Sequence, residues 1–134
     1  MIAWFEIPAS DFEKTVSFYS RILETPVEVH VFNNQRHGIF VHRPGQIGGS
    51  IVESEPAEKR NGPVLFFRVR DDISSVLDRV EACGGKIIMP RTLIRNIGED
   101  KRSVIPRNLI DQKIGYYAVF EDPEGNRMAL YTSH

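Results

Sequence analysis

A repeat at an offset of 60 residues constrains this 134-residue chain more than any other feature. Asp11 and Asp71 lie 60 apart, and the same offset pairs Val16 with Val76, Trp4 with Val64, Phe5 with Leu65, Ile7 with Phe67 and Ala9 with Val69. Each half reads in one order: a strand, an acid-capped helix, then further strands. The offset slips by one residue inside the second helix.

In the first half, Ile2 to Ala9 reads as a strand, bounded by Pro8 and Ser10-Asp11. Ser10 with Glu13 three residues on matches a capping box, and Asp11 is an alternative cap. A helix to about Leu23 follows, with Phe12, Val16, Tyr19 and Leu23 recurring on one apolar face. Pro26 stops it. Strands are expected at Val27–Phe32, at Arg36–His42 after the Asn33-Asn34 turn, and at Gln46–Glu53, where Gly48-Gly49 suggests a bulge. Ser54 to Gly62 reads as a linker between a module at 1–54 and one at 63–134, the linker proper being 55–62.

The second half repeats the scheme. Pro63–Val69 is a strand, and Asp71 or Asp72 caps a helix with Ile73, Val76, Leu77 and Val80 on its core face. Gly84-Gly85 ends that helix, and Lys86–Pro90 is a short strand. The chain closes on two apolar runs around Asp122-Pro123-Glu124-Gly125-Asn126. Asp, Pro and Gly there suit a tight hairpin turn, so an architectural role accounts for the whole loop. Arg91 to Lys113, rich in both charges, is either a solvated excursion or a lid or oligomer contact.

Strand alternation sorts the first strand of each half into two faces. Phe5, Ile7 and Ala9, with Leu65, Phe67 and Val69, belong under the helices. Trp4 and Glu6, with Val64, Phe66 and Arg68, point the other way. The fold class expected is α+β: two βαβββ modules forming a cup-shaped mixed sheet with helices on its outer face. The concave side, assembled from both halves, is where function belongs.

Composition excludes several alternatives. Net charge is −1, so no basic field draws in nucleic acid or an anionic membrane. No apolar run reaches the length of a membrane span, and the N-terminus has no signal-peptide pattern. Cys83 is the single cysteine. It reads as a buried structural thiol in a chain expected to be cytoplasmic.

In its ordered pieces the chain resembles the vicinal oxygen chelate superfamily of glyoxalase I, bleomycin-resistance proteins and extradiol dioxygenases. The pieces are Trp4-Phe5-Glu6-Ile7-Pro8-Ala9-Ser10-Asp11, Phe18-Tyr19, Val69-Arg70-Asp71-Asp72, Gly84-Gly85-Lys86 and Phe120 to Asn126. The resemblance implies paired modules, a homodimer, and a divalent metal held in the cup by His or Glu. It places the ligand positions on Trp4, Val64 and Ala129, with a fourth in Gln46–Glu53, where Glu53 is the one candidate. Trp, Val and Ala offer no donor. A metal-free branch is therefore implied, with no cofactor. His30 and His37, facing each other across a hairpin, read as an exposed pair away from those positions.

The cup is then expected to hold Trp4, Glu6, Val64, Phe66, Arg68, Arg127, Ala129 and Tyr131. This is an aromatic floor for a small organic ligand, with Arg68 or Arg127 gripping a carboxylate or phosphate. Trp4 should fill the volume of the missing metal. Glu6 is either a general base or the structural partner of Arg68. No catalytic constellation is legible. The readings are a metal-free binding protein, a metal-independent lyase or isomerase, or an interaction module whose cup is filled by its own side chains.

Overall fold

The computed structural model describes residues 2–32, 34–57, 61–94, 110–111 and 113–134. The first module runs β1 (Trp4–Ala9), α1 (Phe12–Ile22), β2 (Val27–Phe32), β3 (Gln35–Phe40) and β4 (Gly48–Glu53). The second runs β5 (Phe66–Arg68), α2 (Ile73–Ala82), β6 (Lys86–Leu93), β7 (Tyr116–Glu121) and β8 (Arg127–Thr132). Each forms a mixed four-stranded sheet, ordered β1-β4-β3-β2 and β5-β8-β7-β6. The first and last strands of each module pair in parallel, and the remaining pairs are antiparallel. The cup-shaped sheet expected from the sequence is thus two separately hydrogen-bonded sheets.

Period-2 alternation decides what each first strand buries. Ile7 and Ala9 are fully buried and Phe5 packs beside them, while Trp4 and Glu6 are exposed on the opposite face. The helix-facing sides of both sheets share one core with α1 and α2. Phe5 meets Phe67 at 6.1 Å between ring centroids, so the edge strands β1 and β5 touch through side chains. Tyr19 lies 6.1 Å from both Phe40 and Phe67 and links the modules.

Helix α1 buries Phe12, Thr15, Phe18, Tyr19 and Ile22. Phe18 is missing from the sequence-derived stripe because it faces the second module, where its ring lies 6.0 Å from Phe120. The capping box is not made. Asp11 is the cap and accepts from the Lys14 amide at 3.3 Å, while Glu13 turns to Arg36 instead. Glu24, at φ 49°, turns the chain out of the helix before Pro26.

Helix α2 buries the expected Ile73, Val76, Leu77 and Val80, with Asp72 as cap and Gly84 at φ 93° beyond its end. The caps Asp11 and Asp72 lie 61 residues apart, so the slip in the repeat falls just before the second helix, not inside it. Strand β5 is shorter than Pro63–Val69, and β6 continues past Pro90 to Leu93. Most of the Arg91–Lys113 stretch lies outside the described residues, as does part of the 55–62 linker.

Candidate functional site

The hairpin loop between β7 and β8 closes one corner of the molecule. The Gly125 amide donates to the Asp122 carbonyl at 3.0 Å and the Asp122 amide to the Asn126 carbonyl at 2.9 Å. Gly125 sits at φ 83°, the left-handed conformation that the turn needs. The Asp122 carboxylate is buried. Its Oδ1 accepts the amides of Glu124 at 2.9 Å and Asn126 at 2.8 Å. Its Oδ2 accepts the Tyr19 hydroxyl at 2.7 Å and the Asn126 Nδ2 at 2.8 Å.

Burial pushes the Asp122 carboxyl up from the usual aspartate value, opposed by the hydrogen bonds it accepts. Burial, then the neighbouring Asp122 charge, pushes the Tyr19 phenol well above its ordinary value. Asn126 also donates to the Pro8 carbonyl at 3.2 Å. The Glu124 carboxylate accepts the Ser10 amide and, at 2.7 Å, the Ser10 hydroxyl, with the Asp11 amide at 3.3 Å. An acid from the second module thus sits at the start of the first module's helix, where free N–H groups and the helix dipole favour an anion. The turn joins the modules, an architectural task, as its sequence implied.

The faces away from the helices carry the other sequence-derived residues. On the first sheet Trp4 and Glu6 are exposed, and the Glu6 carboxylate makes no hydrogen bond or ion pair among the described residues. The ring beside Trp4 is His42, at 5.9 Å. On the second sheet Phe66 pairs with Ala129 and Arg68 with Tyr131 in the β5–β8 register. Arg127 shares that face opposite Glu121. Phe66 is 52% exposed and Val64, just before β5, 40%, while Ala129 and Tyr131 are buried.

Arg68 does not pair with Glu6. It meets Asp111 at 3.2 Å and lies over the Tyr131 ring, whose hydroxyl donates to Asp111 at 2.6 Å. Asp111 was not singled out because it sits in the charged stretch whose course the sequence did not fix. His30 and His37 are directly opposite across β2 and β3, but His37 is buried and only His30 is exposed.

Strand pairing sets the register of β4. Glu6 pairs with Ser50 as Phe66 pairs with Ala129, so Ser50 is the first module's counterpart of Ala129. Glu53 pairs with Ala9, on the helix-facing side, and holds Arg36 at 2.6 Å. The positions that the family resemblance implies as ligands are then Trp4, Ser50, Val64 and Ala129. An indole, an alcohol and two alkyl groups do not fit a divalent metal, whose ligands are imidazole, carboxylate or thiolate. Among the described residues no group of three or more His, Cys, Asp or Glu is placed to hold one. The Ser50 hydroxyl is buried without a hydrogen-bond partner in the described structure.

A cleft of about 1050 Å³ opens at the other corner, between the β3–β4 connection and β5. Val64, Phe66 and Arg68 line it; Trp4, Glu6, Arg127, Ala129 and Tyr131 do not. Sequence reading did not find it, since it depends on how the modules meet.

A family model described as "Glyoxalase/Bleomycin resistance protein/Dioxygenase superfamily" matches residues 1–130. No curated protein matches. Among solved structures the chain is similar to the fosfomycin resistance protein FosX from Listeria monocytogenes, complexed with Mn(II) and sulfate. The TM-score is 0.65 and the identity 12%, over 100% of this chain and 93% of that one. It is similar also to a glyoxalase/bleomycin resistance protein from Albidiferax ferrireducens T118, with TM-score 0.63 and 18% identity over 98% and 97% of the two chains. Another of that description, from Streptomyces sp. CB03234, has TM-score 0.63 and 20% identity over 98% and 100%. At these identities the likeness is one of fold. None of the described helices is long and apolar enough to cross a membrane.

Proposed function

We propose that this chain, which belongs to the glyoxalase/bleomycin resistance protein/dioxygenase superfamily, binds a small organic molecule and does so without the metal of its metal-dependent relatives. One observation carries the reading. The positions that the family resemblance implies as ligands hold Trp4, Ser50, Val64 and Ala129, while Trp4 on the first sheet, and Val64 and Phe66 near Arg68 on the second, remain solvent-accessible. Exposed apolar groups near a guanidinium suit a planar or amphipathic ligand with an anionic group; Asp111 holds Arg68, and Arg127 makes no ion pair among the described residues. Glu6, Arg127, Ala129 and Tyr131 complete that surface. The same reading takes 1–54 and 63–134 as two modules of one domain in a cytoplasmic homodimer.

A metal-independent lyase or isomerase is the second reading. It draws on the Glu6 carboxylate, exposed and unpaired among the described residues beside the buried Ser50 hydroxyl.

Native mass spectrometry and metal analysis of the purified protein test both. A co-purifying organic molecule with no stoichiometric metal is the expected result, and Trp4, the single tryptophan, should report its binding by fluorescence. One metal per chain sinks the metal-free reading. Turnover of the molecule that depends on Glu6 selects the enzyme. A monomeric mass by sedimentation at micromolar concentration removes the homodimer.

A further inference from the structure

The geometry points to a second ligand site that adjoins the outward face and shares Val64, Phe66 and Arg68 with it: the cleft beside β5 takes a small amphipathic monoanion, with Arg70 receiving its charge. The cleft volume, about 1050 Å³, stands at the upper end of the range for small-molecule sites. Its apolar wall combines Phe5 and Phe40 of the first module with Leu65 and Phe67 of the second.

Charge fixes the ligand class. The acids lining the cleft are Glu24 and Asp71, and both are engaged by Arg79, at 3.4 and 3.5 Å. Arg79 also donates to the Ile22 carbonyl at 3.1 Å, so its donors are committed. Arg68 is turned to Asp111 and the Tyr131 ring. Arg70 remains: it is exposed, it lines the cleft, and its guanidinium has no hydrogen bond or ion pair among the described residues. One uncompensated cation in a lining that includes Phe5, Phe40 and Phe67 selects a single negative charge on an apolar body.

The closed corner shows why the space exists. There a buried acid meets Tyr19 and a second acid meets the amides ahead of α1. In the repeat the counterpart of Tyr19 is Val80, 61 residues on as the caps are, and the connection from Val41 to Ile47 contains no acid at all. The carboxylate that the chain supplies at one corner is left for a ligand at the other.

The test is titration with 1-anilinonaphthalene-8-sulfonate and with its uncharged analogue N-phenyl-1-naphthylamine. The readout is energy transfer from Trp4, whose neighbour His42 lines the cleft. One anionic probe per chain is expected. Arg70→Ala should weaken it about fivefold, the scale of one solvent-accessible ion pair. Binding of the uncharged probe should be unchanged, and Arg70→Lys should recover most of the loss. Arg21→Ala, an exposed cation of α1 that lines neither the cleft nor the outward face, should have no effect. Equal affinity in Arg70→Ala and wild type overturns the proposal, as does failure of the wild type to bind. Weakening by Arg127→Ala alone moves the anion to the outward face: it sinks the cleft and favours the proposed function. If Arg70→Ala instead dissociates a dimer in sedimentation, a second copy fills the cleft and the small-ligand site is wrong.

Discussion

Two corners of this molecule are made from equivalent parts, and only one of them is closed. At the closed corner the Asp122–Asn126 loop buries Asp122 and Asn126 against β1 and α1. At the open corner all of Val41 to Ile47 is exposed, and its hydrogen bonds, among them Arg43 with Gln46 and the Val41 amide to the Pro26 carbonyl, stay within the first module. Both loops contain a proline and a left-handed glycine, Gly45 at φ 86° and Gly125 at φ 83°. Turn chemistry is thus common to both. The difference is the acids, which reach across to satisfy donors of the other module. A turn becomes a joint between modules when its side chains complete hydrogen bonds that the partner module leaves open.

The comparison breaks most sharply at Asp122. Replacement by Ala strands the Tyr19 hydroxyl, the Asn126 amide group and two backbone amides. The expected loss is roughly 3 kcal/mol in urea unfolding. Its pH dependence runs against the usual carboxylate sense. The folded-state value is raised, so the folded protein binds this proton more tightly than the unfolded chain does. The contribution is full below the ordinary value of 3.8 and shrinks as pH rises through the raised value. The Asp122→Ala penalty should therefore be larger at acid pH than at neutral pH. A penalty that grows with pH sinks the desolvated-acid account.

Tyr19→Phe keeps the ring and removes one hydrogen bond, for an expected loss of about 1.5 kcal/mol. The phenol's raised value adds a second signature. Wild type should lose stability as pH climbs above the ordinary 10.0, because the unfolded chain releases the proton first. Tyr19→Phe should lack that alkaline slope, and an identical slope in both proteins removes Tyr19 as its source.

Glu124→Ala comes next, at about 1 kcal/mol, the scale of a helix cap. Amide exchange at Ser10 and Asp11 should quicken, while the α2 amides stay as they are. No change at Ser10 denies the cap.

How much of this was legible differs with sequence distance. Alternation in β1 and the stripe Ile73, Val76, Leu77, Val80 are local patterns, and the structure repeats them. The turn residues at 122–126 were equally plain. What they do for the other module was not: Glu124 reaches Ser10 across 114 positions, whereas the local capping rule pointed to Glu13. Register in β4 failed for a similar reason. Glu53 was attractive as a donor, but only the pairing of Ser50 with Glu6 says which face each residue takes. Of the two roles open to Glu6, pairing with Arg68 is not the one made: Arg68 meets Asp111, an acid in a stretch with no periodicity to place it. The cleft depends on how two separately legible modules meet, and no period in the sequence encodes that.

The smallest prediction compares the two glycines. An L side chain in the left-handed region costs about 1 kcal/mol. At Gly45 nothing lies within 4 Å of an added Cβ, and none of the loop's hydrogen bonds among the described residues reaches the other module. Gly45→Ala should therefore lose that strain alone, about 1 kcal/mol, with the modules joined as before. Gly125→Ala carries the same strain, since its φ is nearly equal. Its loop cannot relax freely, because any shift moves the Asp122 and Glu124 carboxylates off Tyr19 and Ser10. Gly125→Ala should exceed Gly45→Ala, and the excess should disappear when both are made in an Asp122→Ala background. A double-mutant cycle by urea unfolding measures that coupling. Equal losses in the wild-type background would mean that the β7–β8 loop is no more a joint than its open counterpart.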